Sequence, residues 1–164
     1  MWKALVMPVS GLASALLCAV AGAQQLPKSG SISIHTGFKV SGEAMEVAAK
    51  RPQGHGTAGG VSFNDNGSGP LHRGPATCFY TFFANEGGGA KNKGYCAFGD
   101  ADGDRIFTDW TGTISADGQG NGVNEIAGGT GKYTGIQGSG PWKCRDIGPN
   151  GQHDCTQRFD YRLP

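Results

Sequence analysis

The sequence predicts an all-β fold, a single antiparallel barrel of eight strands joined in meander order. The chain holds 30 glycines in 164 residues, its short apolar runs alternate with polar residues, and most runs end at a glycine or an Asp-Gly corner. Aromatic and β-branched residues between the glycines favour a turn-rich β fold over disorder. A closed barrel is preferred to a β-sandwich, the alternative, because closure removes strand edges and because glycines inside strands are typical of a coiled sheet.

Residues 1–23 have the features of a cleaved secretory signal peptide. A basic start at Lys3 precedes an apolar stretch, and Ala21-Gly22-Ala23 forms a typical cleavage sequence. The apolar stretch is short for a membrane span, so no span is predicted. We therefore expect residues 24–164 to be one β-barrel domain, exported to the periplasm or secreted by a bacterium. Lipidation at Cys18 is the disfavoured alternative.

The four cysteines of the expected mature chain predict two disulfide bonds. Four cysteines allow three connectivities. Cys78 and Cys96 lie symmetrically about a glycine-rich turn, and Cys144 and Cys155 lie symmetrically about a Pro-Asn corner. Cysteines that face each other across a hairpin have the short Cβ separation that a disulfide needs, so we expect bonds 78–96 and 144–155. A zinc site is disfavoured because C-x-x-C spacing is absent from the sequence.

Period-2 alternation predicts the strands of the first half of the chain. Ser31 to Ser41 alternates apolar and polar residues along its whole length, whereas Glu43 to Arg51 is ambiguous and assigned weakly to a strand. Asp-Asn-Gly-Ser-Gly-Pro at 65–70 is a dense turn signal. The further strands predicted in this half are Thr57–Asn64, the aromatic run Ala76–Ala84 and Gly94–Gly99.

The second half continues the meander. Asp102-Gly103 is a hairpin signal that sends the chain back through Arg105 to Trp110, and the same strand carries on to Ser115. The remaining predicted strands are Val123–Ala127, Tyr133–Gly140 with Trp142–Arg145, and His153–Arg162.

The segment Gly129-Thr130-Gly131-Lys132-Tyr133-Thr134-Gly135-Ile136 resembles the G-G-T-G segment of the allene oxide cyclase and dirigent barrels. The likeness extends over Asp104 to Gly140 and includes the preceding Thr111-Gly112-Thr113-Ile114 strand. It implies a small eight-stranded barrel with a central apolar cavity, and it carries over no catalytic residue. The disulfides and the bacterial type of signal peptide depart from the plant enzymes. The whole chain is similar to a family of exported bacterial proteins, a resemblance that implies no particular activity.

Charge and motifs exclude several classes of function. The chain has 14 basic and 13 acidic residues and no basic cluster larger than Lys50-Arg51, so we expect no nucleic-acid partner. Gly131-Lys132 is not a phosphate-binding loop, because Tyr133 stands where that motif needs Ser or Thr. We therefore expect no cofactor.

Three aspartates are the weak candidates for a metal site. Asp100, Asp102 and Asp104 have the spacing of the start of a calcium loop, but Arg105 and Thr111 stand where such a loop needs glycine and glutamate. A charged hairpin turn is the preferred interpretation. A loose surface calcium site is the alternative.

Acid/base candidates are few and scattered. His35, Glu46 and Glu125 are the weak candidates for a group inside the barrel cavity, although a solvent-facing position is the preferred interpretation of His35. The sequence contains neither the nucleophile motif G-x-S-x-G nor the zinc motif H-E-x-x-H.

Aromatic residues are the remaining signal. An eight-stranded barrel is just wide enough to be filled by side chains or to hold one small ligand. The neighbours Phe79/Tyr80 and Phe82/Phe83 point to opposite faces, so one of each pair lies outside, where it can form a homo-oligomer interface. The predicted ligand-binding residues are Phe38, Tyr80, Phe82, Tyr95, Phe98 and Trp110.

These features favour a barrel that binds a small apolar or aromatic molecule. A cofactor-free cyclase, isomerase or lyase that uses the cavity is one alternative. A structural or interaction protein with a filled barrel is the other.

Overall fold

Strict alternation of buried and exposed residues builds each strand. In the first strand the even-numbered residues from Ile32 to Phe38 are buried, and the odd-numbered residues between them point to the outer face. A computed structural model describes residues 26–164 and places them in eight antiparallel strands. The strands are β1 (Ser29–Glu46), β2 (Pro52–Asn64), β3 (Gly74–Ala84), β4 (Ala90–Gly99), β5 (Arg105–Ile114), β6 (Gly120–Gly129), β7 (Gln137–Gly148) and β8 (Gln152–Arg162).

The strands close into a barrel in meander order. Each strand pairs with the next, and β1 pairs with β8 from Ser29 opposite Arg162 to Lys39 opposite Gln152. Closure leaves the described sheet without a free edge. The predicted eight-stranded barrel is thus confirmed, and the sandwich alternative is wrong. The predicted signal peptide at 1–23 lies outside the described residues.

Several strand boundaries differ from the predictions: β2, β4 and β6 begin three to five residues earlier than expected, at Pro52, Ala90 and Gly120. The ambiguous segment after Ser41 continues β1 as far as Glu46, and residues 47–51 form the turn. Gly131–Tyr133 is a 3-10 turn rather than the start of a strand. Hydrogen bonds from Tyr133 N to Thr130 O at 2.9 Å and from Thr134 N to Gly131 O at 3.0 Å close this turn, so β7 begins only at Gln137.

The two ends of the barrel are built differently. The connections at 65–73, 100–104 and 130–136 cover one end, and large side chains fill the barrel beneath them. Short hairpin turns at 47–51, 85–89, 115–119 and 149–151 frame the other end. Among the described residues, no helical segment has the length and apolarity to cross a membrane. The side chains that fill the covered end are Ile32, Ile34, Leu71, Phe98, Ile106, Tyr133, Ile136 and Phe159.

Candidate functional site: an apolar cavity at the framed end of the barrel

An open cavity of about 420 Å³ occupies the half of the barrel framed by the four hairpin turns. Its lining is predominantly apolar and comes from all eight strands. Inward alternation explains this, since residues two apart on one strand share a face. The cavity volume lies within the range of about 300–1,000 Å³ that is usual for small-molecule sites.

Aromatic rings form the cavity wall by lying over glycines one or two strands away. The indole of Trp142 covers Gly112 so closely that a Cβ there would stand 2.2 Å from its Cζ2. The ring of Trp110 covers Gly94 in the same way, with its Cε2 at 2.9 Å from the position of a Cβ. The two indoles meet edge to face, with ring centroids 5.4 Å apart. The glycines thus let large rings lie flat against the wall, and the centre of the barrel stays open.

Both predicted disulfides are present, and both line the cavity. Cys78 is bonded to Cys96 across the β3–β4 hairpin, and Cys144 to Cys155 across the β7–β8 hairpin. In each pair the two cysteines are register partners with Cα atoms 4.1 Å apart. The disulfides therefore supply apolar wall as well as cross-links.

A layer of hydrogen-bonded polar side chains lies between the cavity and the filled end. The hydroxyls of Thr36 and Ser62 are 2.8 Å apart, and Thr36 also donates to Gln157 Oε1 at 3.1 Å. Thr108 donates to Asn124 Oδ1 at 3.3 Å. All five residues are buried. These side chains satisfy one another, as buried polar groups must.

Two polar atoms of the cavity wall have no such partner. Among the described residues, Asn92 Oδ1 and Trp110 Nε1 are buried and lack a hydrogen-bond partner, and both side chains line the cavity. The indole of Trp142 differs, because its Nε1 donates to Thr111 O at 3.3 Å. A buried donor and a buried acceptor left unpaired each cost about 1–3 kcal/mol, so these two atoms mark a polar spot in an apolar wall.

An aspartate–histidine pair stands at the cavity mouth. His153 Nδ1 and Asp146 Oδ1 are 2.8 Å apart across the β7–β8 hairpin, and both side chains line the cavity. The imidazole is mostly buried and the carboxylate is exposed. The third titratable side chain of the lining, Tyr80, donates to Ser41 O at 3.4 Å. Burial raises the pKa of the Tyr80 hydroxyl, which keeps this group neutral.

The structure brings together five of the six predicted ligand-binding residues. The exception is Tyr95, which lies on the outer surface with 66% of its area exposed. Its neighbour Cys96 faces inward into a disulfide, so alternation turns Tyr95 outward. The five that line the cavity are Phe38, Tyr80, Phe82, Phe98 and Trp110.

The structure places the three acid/base candidates outside the cavity. His35 is on the outer face of β1, stacked on Phe63 and 3.2 Å from Asp65 Oδ1. Glu46 is exposed at the end of β1 and accepts a hydrogen bond from Lys50 N at 2.6 Å. Glu125 is exposed on the outer face of β6. For His35 and Glu125 the alternation decides this, because each has a buried neighbour on its strand. Glu46 is in phase with the inward residues of β1, but it lies at the exposed end of the strand, beyond the cavity.

The three aspartates of the possible calcium site hold a lysine instead. Lys132 Nζ lies 2.7 Å from carboxylate oxygens of both Asp100 and Asp102, and Lys132 N donates to Asp104 Oδ2 at 3.0 Å. The buried Asp100 also accepts from the hydroxyl of Tyr133 and from Leu71 N. In the described part of the chain, no group of three or more His, Cys, Asp or Glu residues is placed to hold a metal ion.

Sequence reasoning missed Asn92, Trp142, His153 and Asp146 as residues of the cavity. For His153 a signal was present, since it continues the alternation of Cys155, Gln157 and Phe159 and therefore shares their inward face. Asp146 had the same signal, since it continues the alternation of Trp142 and Cys144. Its position follows from the register with β8, where it faces His153.

The fold and site define the class of this protein: a disulfide-linked eight-stranded β-barrel with an apolar cavity open at one end. A comparison with protein-family models gives no match, and a comparison with curated proteins gives no significant similarity. The resemblance to the allene oxide cyclase and dirigent barrels stays a prediction that rests on the G-G-T-G segment.

Proposed function

We propose that this protein binds one small apolar or aromatic molecule in the cavity of its barrel. The observation that carries the proposal is the position of the large rings, which lie against the wall and leave about 420 Å³ open. A barrel with a purely structural role has no use for this space, because close packing of the interior is more stable. The binding role is therefore preferred to the filled barrel.

Titration with N-phenyl-1-naphthylamine, a neutral apolar probe that fluoresces in apolar surroundings, tests this proposal. Full-length protein expressed with its N-terminal segment and purified after export should bind one probe molecule per chain. Ala58 is buried and lines the cavity, so Ala58→Phe should reduce the affinity at least tenfold by filling it. The matched control Ala127→Phe adds the same ring on the exposed outer face of β6 and should leave binding unchanged.

Two results would count against the proposal. One is the absence of saturable binding to the wild-type protein. The other is equal binding to the Ala58→Phe variant, which would indicate that the probe binds to the outer surface of the barrel.

One observation supports a cofactor-free cyclase, isomerase or lyase as the second candidate. A histidine whose Nδ1 is held by a carboxylate keeps its Nε2 for proton transfer, and the His153–Asp146 pair has this arrangement at the mouth. Binding remains the preferred function because the pair sits at the rim, whereas the wall deeper in the cavity is apolar. If the protein converted a substrate and lost this activity on substitution of His153, the enzyme would become the preferred function.

We also propose that the protein is exported to the periplasm or secreted. Two disulfides support this proposal, since such bonds form and persist in oxidising compartments. The signal-peptide features of residues 1–23 point the same way. Fractionation of cells that express the protein with or without residues 1–23 tests whether the protein is exported and whether export needs this segment.

Self-association through the outer aromatic residues is the last part of the proposal. Phe79 and Tyr95 are register partners on the outside of β3 and β4, exposed by 62% and 66%, and Phe107 lies beside them on β5. An exposed apolar patch of this kind marks an interface, and a second copy of the chain offers a complementary patch about a two-fold axis. Sedimentation experiments that compare the oligomeric state of the wild type with that of the Tyr95→Ser variant test this self-association.

A further inference from the structure

The cavity wall has a polar recognition point, and its geometry specifies the chemistry of the ligand. Asn92 Oδ1 and Trp110 Nε1 are buried in the wall and unpaired within the described chain. Three other polar atoms of the lining have partners: Gln157 Oε1 and Asn124 Oδ1 accept from threonines, and Trp142 Nε1 donates to a backbone carbonyl. The unpaired donor and the unpaired acceptor thus belong to two side chains that line the same apolar space.

The two groups lie close enough to meet one functional group of a ligand. Trp110 is the register partner of Gly94, and Asn92 is two residues from Gly94 on the same inward face of β4. Such diagonal neighbours on adjacent strands are about 7–8 Å apart at the backbone. The indole also leans over Gly94 with its Cε2 edge, the edge that carries Nε1, towards β4. The indole therefore reaches towards β4, the strand that carries Asn92.

We propose that the ligand is a neutral apolar or aromatic molecule with one hydroxyl or amide group, bound between Trp110 and Asn92. This inference rests on the proposed binding function. The oxygen of a hydroxyl accepts from the indole N–H while its hydrogen is donated to Asn92 Oδ1, and an amide does the same with its carbonyl and N–H. Pairing removes the penalty of two unsatisfied buried atoms, whereas a pure hydrocarbon leaves it in place. A site built to hydrogen-bond a ligand therefore discriminates against the analogue that lacks the group.

A pair of probes of equal shape tests this inference. 1-Naphthalenemethanol carries a hydroxyl where 1-ethylnaphthalene carries a methyl group, and both are measured by displacement of N-phenyl-1-naphthylamine. The quantity of interest is the ratio of the two dissociation constants, because effects of a variant on the shared naphthalene ring cancel in it. Trp110→Phe removes the indole N–H and Asn92→Leu removes the side-chain amide, and each should lower the preference for the alcohol roughly five- to tenfold.

Trp142→Phe is the matched control. It makes the same change of side chain in the same cavity, but its N–H is already donated to Thr111 O, so the ratio should stay at the wild-type value. Two variants on different strands keep the test valid if one of them fails to fold. An unchanged ratio in both Trp110→Phe and Asn92→Leu, or an equal fall in Trp142→Phe, would overturn the inference. Failure of both probes to bind the wild type would instead refute the binding function itself.

Discussion

Glycine 112 illustrates how single residues shape the cavity. Its missing side chain is the space in which the indole of Trp142 lies, and a Cβ would also stand 2.5 Å from Asn121 O. The ring also meets Trp110, and the backbone of β6 is held by its pairing with β5. The glycine therefore determines where a tryptophan lies, and through it the width of the cavity.

Gly112→Ala should destabilise the barrel by about 1–3 kcal/mol, the usual cost of overpacking a core. Gly59→Ala is the matched control, because a Cβ at this exposed strand position meets nothing within 4 Å. That variant should be neutral or slightly more stable. Urea unfolding followed by tryptophan fluorescence gives both free energies. Equal stability of the two variants would show that the ring does not lie where the structure places it.

At the scale of elements, a clamp between two connections covers the filled end of the barrel. The turn at 100–104 supplies carboxylates, and the 3-10 turn supplies Lys132 and Tyr133. Gly131 adopts φ +52° within this clamp, and a Cβ there would collide with the carboxylate of Asp104. The G-G-T-G segment thus has a structural use here, which is to bring Tyr133 under the aspartate turn.

The clamp makes the stability of the protein fall at high pH. Burial, followed by the hydrogen bond to Asp100, raises the pKa of Tyr133 far above its usual range. Burial opposes the charge of Lys132, but hydrogen bonds to Asp100 and Asp102 outweigh it and raise the pKa of Lys132. Above about pH 10 the unfolded chain releases these protons while the folded chain keeps them, so the free energy of unfolding decreases.

Tyr133→Phe should therefore cost stability at pH 7 and flatten the alkaline decline. The lost hydrogen bond to the buried Asp100 should cost about 1–3 kcal/mol at pH 7. The missing proton should reduce the slope above pH 10 by up to about 1.4 kcal/mol per pH unit. Urea unfolding between pH 7 and pH 11 measures both. Tyr95→Phe, which removes an exposed hydroxyl, is the control and should keep the wild-type slope. If the free energy of unfolding of Tyr133→Phe fell above pH 10 as steeply as that of the wild type, the proposed role of Tyr133 in the clamp would be wrong.

Each of the two disulfides cross-links the two strands of one hairpin. Cys78–Cys96 spans 18 residues, a loop for which loss of the bond costs about 3 kcal/mol in unfolded-state entropy. The double variant Cys78→Ala/Cys96→Ala should lose about this much. Calorimetric melting of wild type and variant checks the value, with the oxidised Cys144–Cys155 bond kept in both. Equal melting temperatures of the variant and the wild type would mean that the Cys78–Cys96 bond does not stabilise the folded protein.

At the scale of the whole molecule, the barrel could be predicted from the sequence because its causes are local. Alternation, turn residues and glycines are readable one strand at a time, and the symmetric cysteines identify two hairpins. The 3-10 turn was missed because the aromatic Tyr133 is typical of a strand, and its partner Asp100 lies 33 residues away. No local pattern reports such a contact.

The candidate site was harder to predict than the fold for the same reason. Tyr95 and Phe98 are equally aromatic, and only the inward direction of Cys96 tells that one lies outside and the other inside. The free N–H of Trp110 depends on what surrounds it in space, as does the bonded N–H of Trp142. Composition identified the aromatic character of the cavity, whereas register decided which residues form it.

The measurement that tests the central claim most directly is native mass spectrometry of the exported protein with N-phenyl-1-naphthylamine, because it counts bound molecules. The account predicts one probe molecule per chain for the wild type and for Ala127→Phe. For Ala58→Phe, whose added ring takes up part of the cavity, it predicts a much smaller fraction of adduct at the same probe concentration, as the loss of at least tenfold in affinity requires. No adduct on the wild type, or an equal adduct on Ala58→Phe, would contradict the claim that this barrel holds a ligand in its interior.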